Sequence, residues 1–150
     1  MDDQPLHSLY NYRRVSERIA TSGMPTAEQL AAIARAGFDV VINLDQLDSR
    51  HALPDERQMV TALGLIYEQI PVVWDNPGHA QVVQFLDALD RHADKRVFVH
   101  CVANYRASVF IALYRILRLG WPPAEALADM MTVWQPNPTW QAFIESELAQ

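Results

Sequence analysis

Cysteine is almost absent: Cys101 stands alone among 150 residues. No internal disulfide can form, and stability has to come from a packed core. A chain of this length buries roughly two-thirds of the surface it exposes when unfolded, which is enough without staples. Basic residues are also scarce. Twelve Lys and Arg against 18 Asp and Glu leave a formal charge of −6. A nucleic-acid binder gains its affinity by neutralising phosphates, so this balance argues against one. An acidic surface also repels anionic membranes, while leaving room for a small positive site within it. Long hydrophobic runs are missing, since stretches such as Val109 to Leu113 are far too short to span a bilayer. The N-terminal Met1-Asp2-Asp3-Gln4-Pro5 is acidic and no apolar block follows it, unlike a signal peptide. With one reduced cysteine and no export signal, a cytoplasmic protein is expected. Repeats and low-complexity stretches are lacking. The five histidines show no metal-ligand spacing, so neither a metal nor another cofactor is expected.

What remains is an ordinary globular composition, half apolar and one-fifth charged, read as a single domain over residues 1–150. The five glycines punctuate it usefully. Thr26 with Gln29 resembles a capping box opening a helix over Ala27 to Ala36, with Gly37 just past its end. Phe38 to Leu44 is a short run rich in β-branched residues, hence a buried strand. Pro54, with Asp55 and Glu56 in the first turn, suits a helix running to Leu63, which Gly64 ends. Leu65 to Val73 reads as a second strand, and Pro71 puts it at or near a sheet edge. Trp74-Asp75-Asn76-Pro77-Gly78 is a dense turn. Helical spacing returns from His79 to His92, a third strand lies within Arg96 to His100, and a helix follows from Arg106 to Leu119, stopped by Gly120. Two more helices close the chain, Ala124 to Val133 and one capped by Thr139 and running to Ala149. Asn11 to Ile19 has room for a short strand. Strands alternating with helices predict an α/β fold with a mainly parallel central sheet flanked by helices. The extra C-terminal helices must then pack on one face.

Chemistry concentrates in Val97-Phe98-Val99-His100-Cys101-Val102-Ala103-Asn104-Tyr105-Arg106-Ala107-Ser108. A buried strand ends at a cysteine, a short loop follows, and an arginine stands at a helix start. Backbone N–H groups of such a loop converge on one point, and the helix terminus adds partial positive charge. Both favour a thiolate. An arginine contributes a planar fork for two phosphate oxygens. A thiolate, a ring of N–H donors and an arginine suit attack on phosphorus. A lone cysteine is more often a small buried hydrophobe. Here its place at the carboxyl end of a strand, where α/β folds bind ligands, weighs against that, as do Arg106 one loop away and His100 before it.

His-Cys, a short loop, Arg and then Ser leading into an apolar helix resemble the signature of the cysteine-dependent protein tyrosine phosphatases, and the wider chain resembles their dual-specificity branch, particularly small bacterial members. The likeness runs from about Val15 to Ala128. It includes Ser22-Gly23-Met24-Pro25-Thr26, Val41-Ile42-Asn43-Leu44, and Tyr67 to Pro71 leading into Trp74-Asp75. It implies hydrolysis of phosphate monoesters on a phosphorylated small molecule or phosphoprotein, through a phosphocysteine intermediate and without a metal. By this resemblance Cys101 is the nucleophile and Arg106 the clamp. Asp75 is the proton donor, with Asp45 and Asp48 in reserve, and Ser108 is the hydroxyl that steadies the departing thiolate. His100, Val102, Ala103, Asn104, Tyr105 and Ala107 complete the phosphate loop. The chain departs from the usual pattern in one respect: four residues, Val102 to Tyr105, separate Cys101 from Arg106, where five are usual. Either the loop is tighter by one residue, or Arg has moved and Ala107 stands in its place. Four-residue spacing also occurs in a bacterial branch of this superfamily. Asn104 replaces the frequent mid-loop glycine, and asparagine tolerates positive φ better than most residues.

A loop this short also resembles that of the rhodanese sulfurtransferases, which carry sulfur as a persulfide and need no acid. A non-catalytic phosphate-binding module is the third reading. Trp121, Trp134 and Trp140 read as packing groups, and Tyr10, Tyr12, Arg13 and Arg14 as a surface or interface cluster. Asp2-Asp3 and Asp87/Asp90 read as solvated charges. With no basic residue among Val102, Ala103, Asn104 and Tyr105, an aryl monophosphate such as phosphotyrosine is expected as substrate rather than a phosphoinositide.

Overall fold

The computed structural model describes residues 3–150. After a short 3-10 turn at Gln4–Leu6 come β1 (Arg13–Arg14), β2 (Ile19–Ser22), α1 (Ala27–Arg35), β3 (Val40–Asn43), α2 (Glu56–Ala62), β4 (Ile66–Gln69), α3 (His79–Arg91), β5 (Val97–His100), α4 (Tyr105–Leu117), α5 (Pro123–Met130) and α6 (Pro138–Leu148). The sheet order is β1-β2-β5-β3-β4. Every pairing is parallel except that of β1 with β2. This is the mainly parallel, helix-flanked α/β sheet that the alternation of elements requires.

The strand side chains alternate between two cores, as a pleated strand demands. Val40, Ile42, Val97 and Val99 face α3, α4 and α6, where Phe85, Phe110, Trp140 and Phe143 pack. Val41 and Phe98 face the opposite way, toward Leu30 and Ile33 of α1 and Val60 of α2. β5 is therefore fully buried between β2 and β3. Its register sets Ser22, Asn43 and His100 side by side at the carboxyl end of the sheet. That end is where a parallel sheet opens a crevice for ligands.

Most boundaries fall within two or three residues of expectation. The capping box at Thr26 and Gln29 is formed in both directions, and Gly37, Gly64 and Gly120 all adopt positive φ at helix ends. β4, which precedes Pro71, is an edge strand. Three details differ. The Ile19–Ser22 strand is a central partner of β5, although four residues are too few to carry a period. Asn137, not Thr139, caps α6, accepting from Trp140 N at 2.9 Å. α2 begins after Asp55, which takes a left-handed φ of 61°, and Glu56 is buried rather than solvated. Of the surface carboxylates, Asp90 pairs with Arg118, Asp3 accepts from the Tyr12 hydroxyl, and Asp2 lies outside the described residues. Among the described residues, no helix is long and apolar enough to cross a membrane.

Candidate active site

Cys101 directly follows β5 and is completely buried at the floor of a cavity of about 570 Å³. The cavity walls come from the loop after β3, from Trp74, and from Val102, Ala103, Tyr105 and Arg106. The chain turns sharply to leave the strand and enter α4. Asn104 makes that turn with φ 71° and ψ 4°, so the asparagine in place of glycine occupies a left-handed position, as its chemistry permits. Its side chain fastens the turn by donating to Asn11 O at 2.8 Å and Thr21 Oγ1 at 2.9 Å. Asn11 returns the contact, its Nδ2 donating to Ala103 O at 3.0 Å. Met24 N donates to Val102 O at 2.9 Å, and Gly23 pairs with Ala103 across an isolated bridge. A methyl group at Gly23 would stand 2.5 Å from Val102 O. The loop is thus clamped from behind, while the first turn of α4 leaves its N–H groups without intrahelical acceptors.

The spacing question is answered by Arg106, not Ala107. Arg106 is buried yet lines the cavity, whereas Ala107 packs into the core. Arg106 Nη1 donates to Val72 O at 3.0 Å and Nη2 to Asp45 Oδ1 at 3.1 Å, leaving the other guanidinium hydrogens for a ligand. The guanidinium carbon lies 5.9 Å from the centre of the Trp74 ring.

Beneath the loop, both ring nitrogens of His100 face oxygens. Nδ1 is 3.2 Å from Cys101 O and Nε2 is 2.5 Å from Glu56 Oε2. Glu56 Oε1 accepts from Asn43 Nδ2 at 3.1 Å, and the same amide reaches Tyr67 Oη. Burial, with Glu56 nearby, pushes the Tyr67 phenol up to about 12. A buried polar network of this kind is rigid only when its members are satisfied, and this one braces the strand end that carries Cys101.

The aromatic groups form a stacked wall. Tyr105 lies flat on Trp134, centroids 4.6 Å apart and planes 3° apart. Trp74 contacts both rings, and Trp140 Nε1 donates to Trp74 O at 2.8 Å. The C-terminal tryptophans do pack, but Trp134 and Trp140 pack behind the two residues, Trp74 and Tyr105, that face the cavity.

Two expected residues stand elsewhere. Ser108 is the fourth residue of α4. Its hydroxyl donates to Tyr105 O at 2.8 Å, and it lines a separate small hollow with Thr21 and Ala112, so the hydroxyl is spent on the helix rather than on Cys101. Asp75 is exposed on the turn after Trp74. The carboxylates that line the cavity are Asp45 and Asp48, joined there by Arg50 and His51. Sequence reasoning missed Asn11, Gly23 and Glu56. The first-turn position of Glu56 gave no hint of burial, and Gly23 was visible only as part of Ser22-Gly23-Met24.

A cysteine at the end of a central parallel strand, an arginine five residues further on and a clamped loop between them form the arrangement expected of a thiol-dependent phosphatase. The chain belongs to the family described as DSP-PTPase phosphatase fused to NAD+ kinase, whose pattern it matches over residues 10–141. It is similar to a putative phosphatase (DUF442) from Shewanella putrefaciens CN-32. That crystal structure shares 38% identity and a TM-score of 0.91, over 99% of this chain and 97% of that one. It also resembles the dual specificity protein phosphatase TpbA of Pseudomonas aeruginosa, 28% identical over 128 residues, 85% of this chain and 56% of TpbA. TpbA has been solved in complex with pTyr, with a TM-score of 0.70 at 25% identity, over 87% of this chain and 76% of that one. A beta-lactamase hydrolase-like protein of Xylella fastidiosa is 29% identical over 75% of this chain. The chain spans 27% and 56% of the lengths of these two curated relatives.

Proposed function

We propose that the chain hydrolyses phosphate monoesters through a phosphocysteine on Cys101. The observation that carries this reading is the joint placement of Cys101 and Arg106 on one cavity beneath the α4 N-terminus. The Cys101 thiolate attacks phosphorus, and the ester P–O bond breaks as an S–P bond forms. The leaving oxygen takes a proton from an acid, assigned to Asp75 with Asp48 as the competing carboxyl. Water then attacks the phosphocysteine, releasing inorganic phosphate and restoring the thiolate. Arg106 and the loop N–H groups hold the equatorial oxygens as their charge develops. Ser108 has no part in this cycle. Membership of a phosphatase family and the wall of aromatic rings favour this over persulfide transfer or mute phosphate binding.

The substrate is an aryl monophosphate, including phosphotyrosine in a protein. Trp74 and Tyr105 line the cavity, and TpbA, a relative, has been captured with pTyr. None of Val102, Ala103, Asn104 and Tyr105 is basic, so the loop itself offers no cation to additional phosphates, each close like-charge pair costing about 1 kcal/mol or more. The test is p-nitrophenyl phosphate hydrolysis by wild type and Cys101→Ser, run beside thiosulfate-to-cyanide sulfur transfer. Phosphatase activity lost in Cys101→Ser is the expected result, whereas sulfur transfer alone would overturn it. A higher kcat/KM for a phosphoinositide than for a phosphotyrosine peptide would refute the substrate assignment by itself.

A further inference from the structure

The turn Trp74-Asp75-Asn76-Pro77-Gly78 carries the acid of the proposed cycle, and its internal support is thin. Asn76 N donates to Val73 O at 3.1 Å, whereas the exposed Asp75 carboxyl has no partner among the described residues. The aim of Asp75 is then set by the backbone that carries it, and that backbone is held from outside. Trp74 N donates to Gln46 Oε1 at 2.8 Å. Trp74 O accepts from the indole Nε1 of Trp140 at 2.8 Å. At the far end of the turn His79 opens α3, and its Nδ1 lies 2.8 Å from Glu147 Oε1. Trp140 and Glu147 both belong to α6. Their spacing is two helical turns, so they share one face and stand about 10.5 Å apart along the axis. Both are buried, Trp140 completely and Glu147 at 4% exposure. The second Glu147 oxygen accepts from Gln150 Nε2 at 3.2 Å. Packing explains neither polar group. A phenyl ring at 140 would still meet Phe110 and Phe143, and a buried carboxylate is costly unless something holds it. What the indole N–H and the carboxylate do, and apolar groups could not, is fasten the two ends of one turn to one helix.

We infer that α6 is a splint for the acid turn, with Trp140 and Glu147 as positioning residues that fix the backbone from which Asp75 protonates the leaving oxygen. This rests on the assignment of Asp75 as the acid and adds to it the part of the chain that holds that acid in place. Neither residue touches substrate: Trp140 acts through Trp74 and Glu147 through His79.

The test compares kcat/KM for phenyl phosphate, which has a poor leaving group, with that for p-nitrophenyl phosphate, which has a good one. This parameter reports the steps up to phenol release, where the acid acts. Trp140→Phe keeps a ring in the core and removes only the donor to Trp74 O. In this variant phenyl phosphate is expected to lose about tenfold and p-nitrophenyl phosphate less than about twofold, because only the poor leaving group needs the proton. Introduced into Asp75→Asn, the same substitution should cost phenyl phosphate less than about twofold, since a residue that works only through Asp75 has nothing left to act on. Equal losses on the two esters in a folded Trp140→Phe overturn the inference, as does a loss that persists undiminished in the Asp75→Asn background. Should Trp140→Phe fail to fold, His79→Ala, altered at an exposed ring, decides by the same two comparisons, with a loss of about threefold expected on phenyl phosphate. If Asp75→Asn itself slows both esters equally, the acid assignment fails and the inference falls with it. That result is distinct from an Asp75→Asn that discriminates between the esters beside a Trp140→Phe that does not.

Discussion

Gly23 is far from obvious as an active-site residue, and Gly23→Ala isolates the geometry of the cradle from its chemistry. The added Cβ would lie 2.5 Å from Val102 O, 3.2 Å from Tyr10 Cδ2 and 3.3 Å from Ala103 Cα. The tightest of these contacts is to backbone, so no side-chain rotation relieves it. Val102 O has to retreat by about 0.5 to 0.9 Å to reach the 3.0 to 3.4 Å at which real contacts begin. Two effects follow. Overpacking of a tight site costs about 1–3 kcal/mol, and for a domain of this size each kcal/mol lowers Tm by about 2–4 °C. The loop that moves is also the one that aims N–H groups and Cys101 at phosphorus, and a displacement near 1 Å costs about a hundredfold in rate. The expectation is a folded protein with a modestly lower Tm and a kcat for p-nitrophenyl phosphate reduced about 10- to 100-fold. The assay is steady-state kinetics beside a thermal melt. A variant with wild-type kcat and a lowered Tm would refute the claim that the contact of Gly23 with Val102 and Ala103 sets the cradle.

Arg106→Lys should lose most of its activity while folding normally, because an ammonium cannot reproduce two parallel donors to phosphate and also hold Asp45 and Val72 O; kcat/KM near wild type would show that the fork is not used. Asp75→Asn should slow an aryl ester with a poor leaving group far more than one with a good leaving group, since only the former needs the proton. Equal losses on both would move the role to Asp48, tested by the same pair of substrates. The buried Tyr67 phenol, raised to about 12 from 10, favours the neutral form in the folded chain. Its contribution is therefore complete below pH 10 and is lost as the pH rises through 12. The drop in Tm across that window should be smaller in Tyr67→Phe, and an identical drop would contradict this.

The parts of the fold governed by local rules were readable in advance. The capping box at Thr26, the glycine stops and the continuous apolar run of β5 each announce their own structure, and the carboxyl end of β5 points to Cys101 and Arg106. The rest depends on contacts between distant segments. Ile19–Ser22 is a strand because β5 lies beside it, and its four residues carry no period of their own. Glu56 looks like an ordinary first-turn acid, and only the β3–β5 register, which brings Asn43 beside His100, draws it under the site. Ser108 was placed by analogy of spacing. In the tighter loop the same spacing falls a full turn into α4, where the Tyr105 carbonyl claims the hydroxyl. The Asp45 pairing with Arg106 joins residues 61 apart, and no local pattern signals it.

The central claim is that Cys101 itself carries the phosphoryl group. Mixing wild type with an aryl phosphate, quenching in denaturant within the first turnover and mapping the peptides by mass spectrometry tests this directly. The account predicts one added phosphoryl group on the peptide containing Cys101, appearing with the first equivalent of released phenol and absent from Cys101→Ser, which releases none. Phenol release at the wild-type rate by Cys101→Ser, with no adduct on that peptide in the wild type, would contradict it.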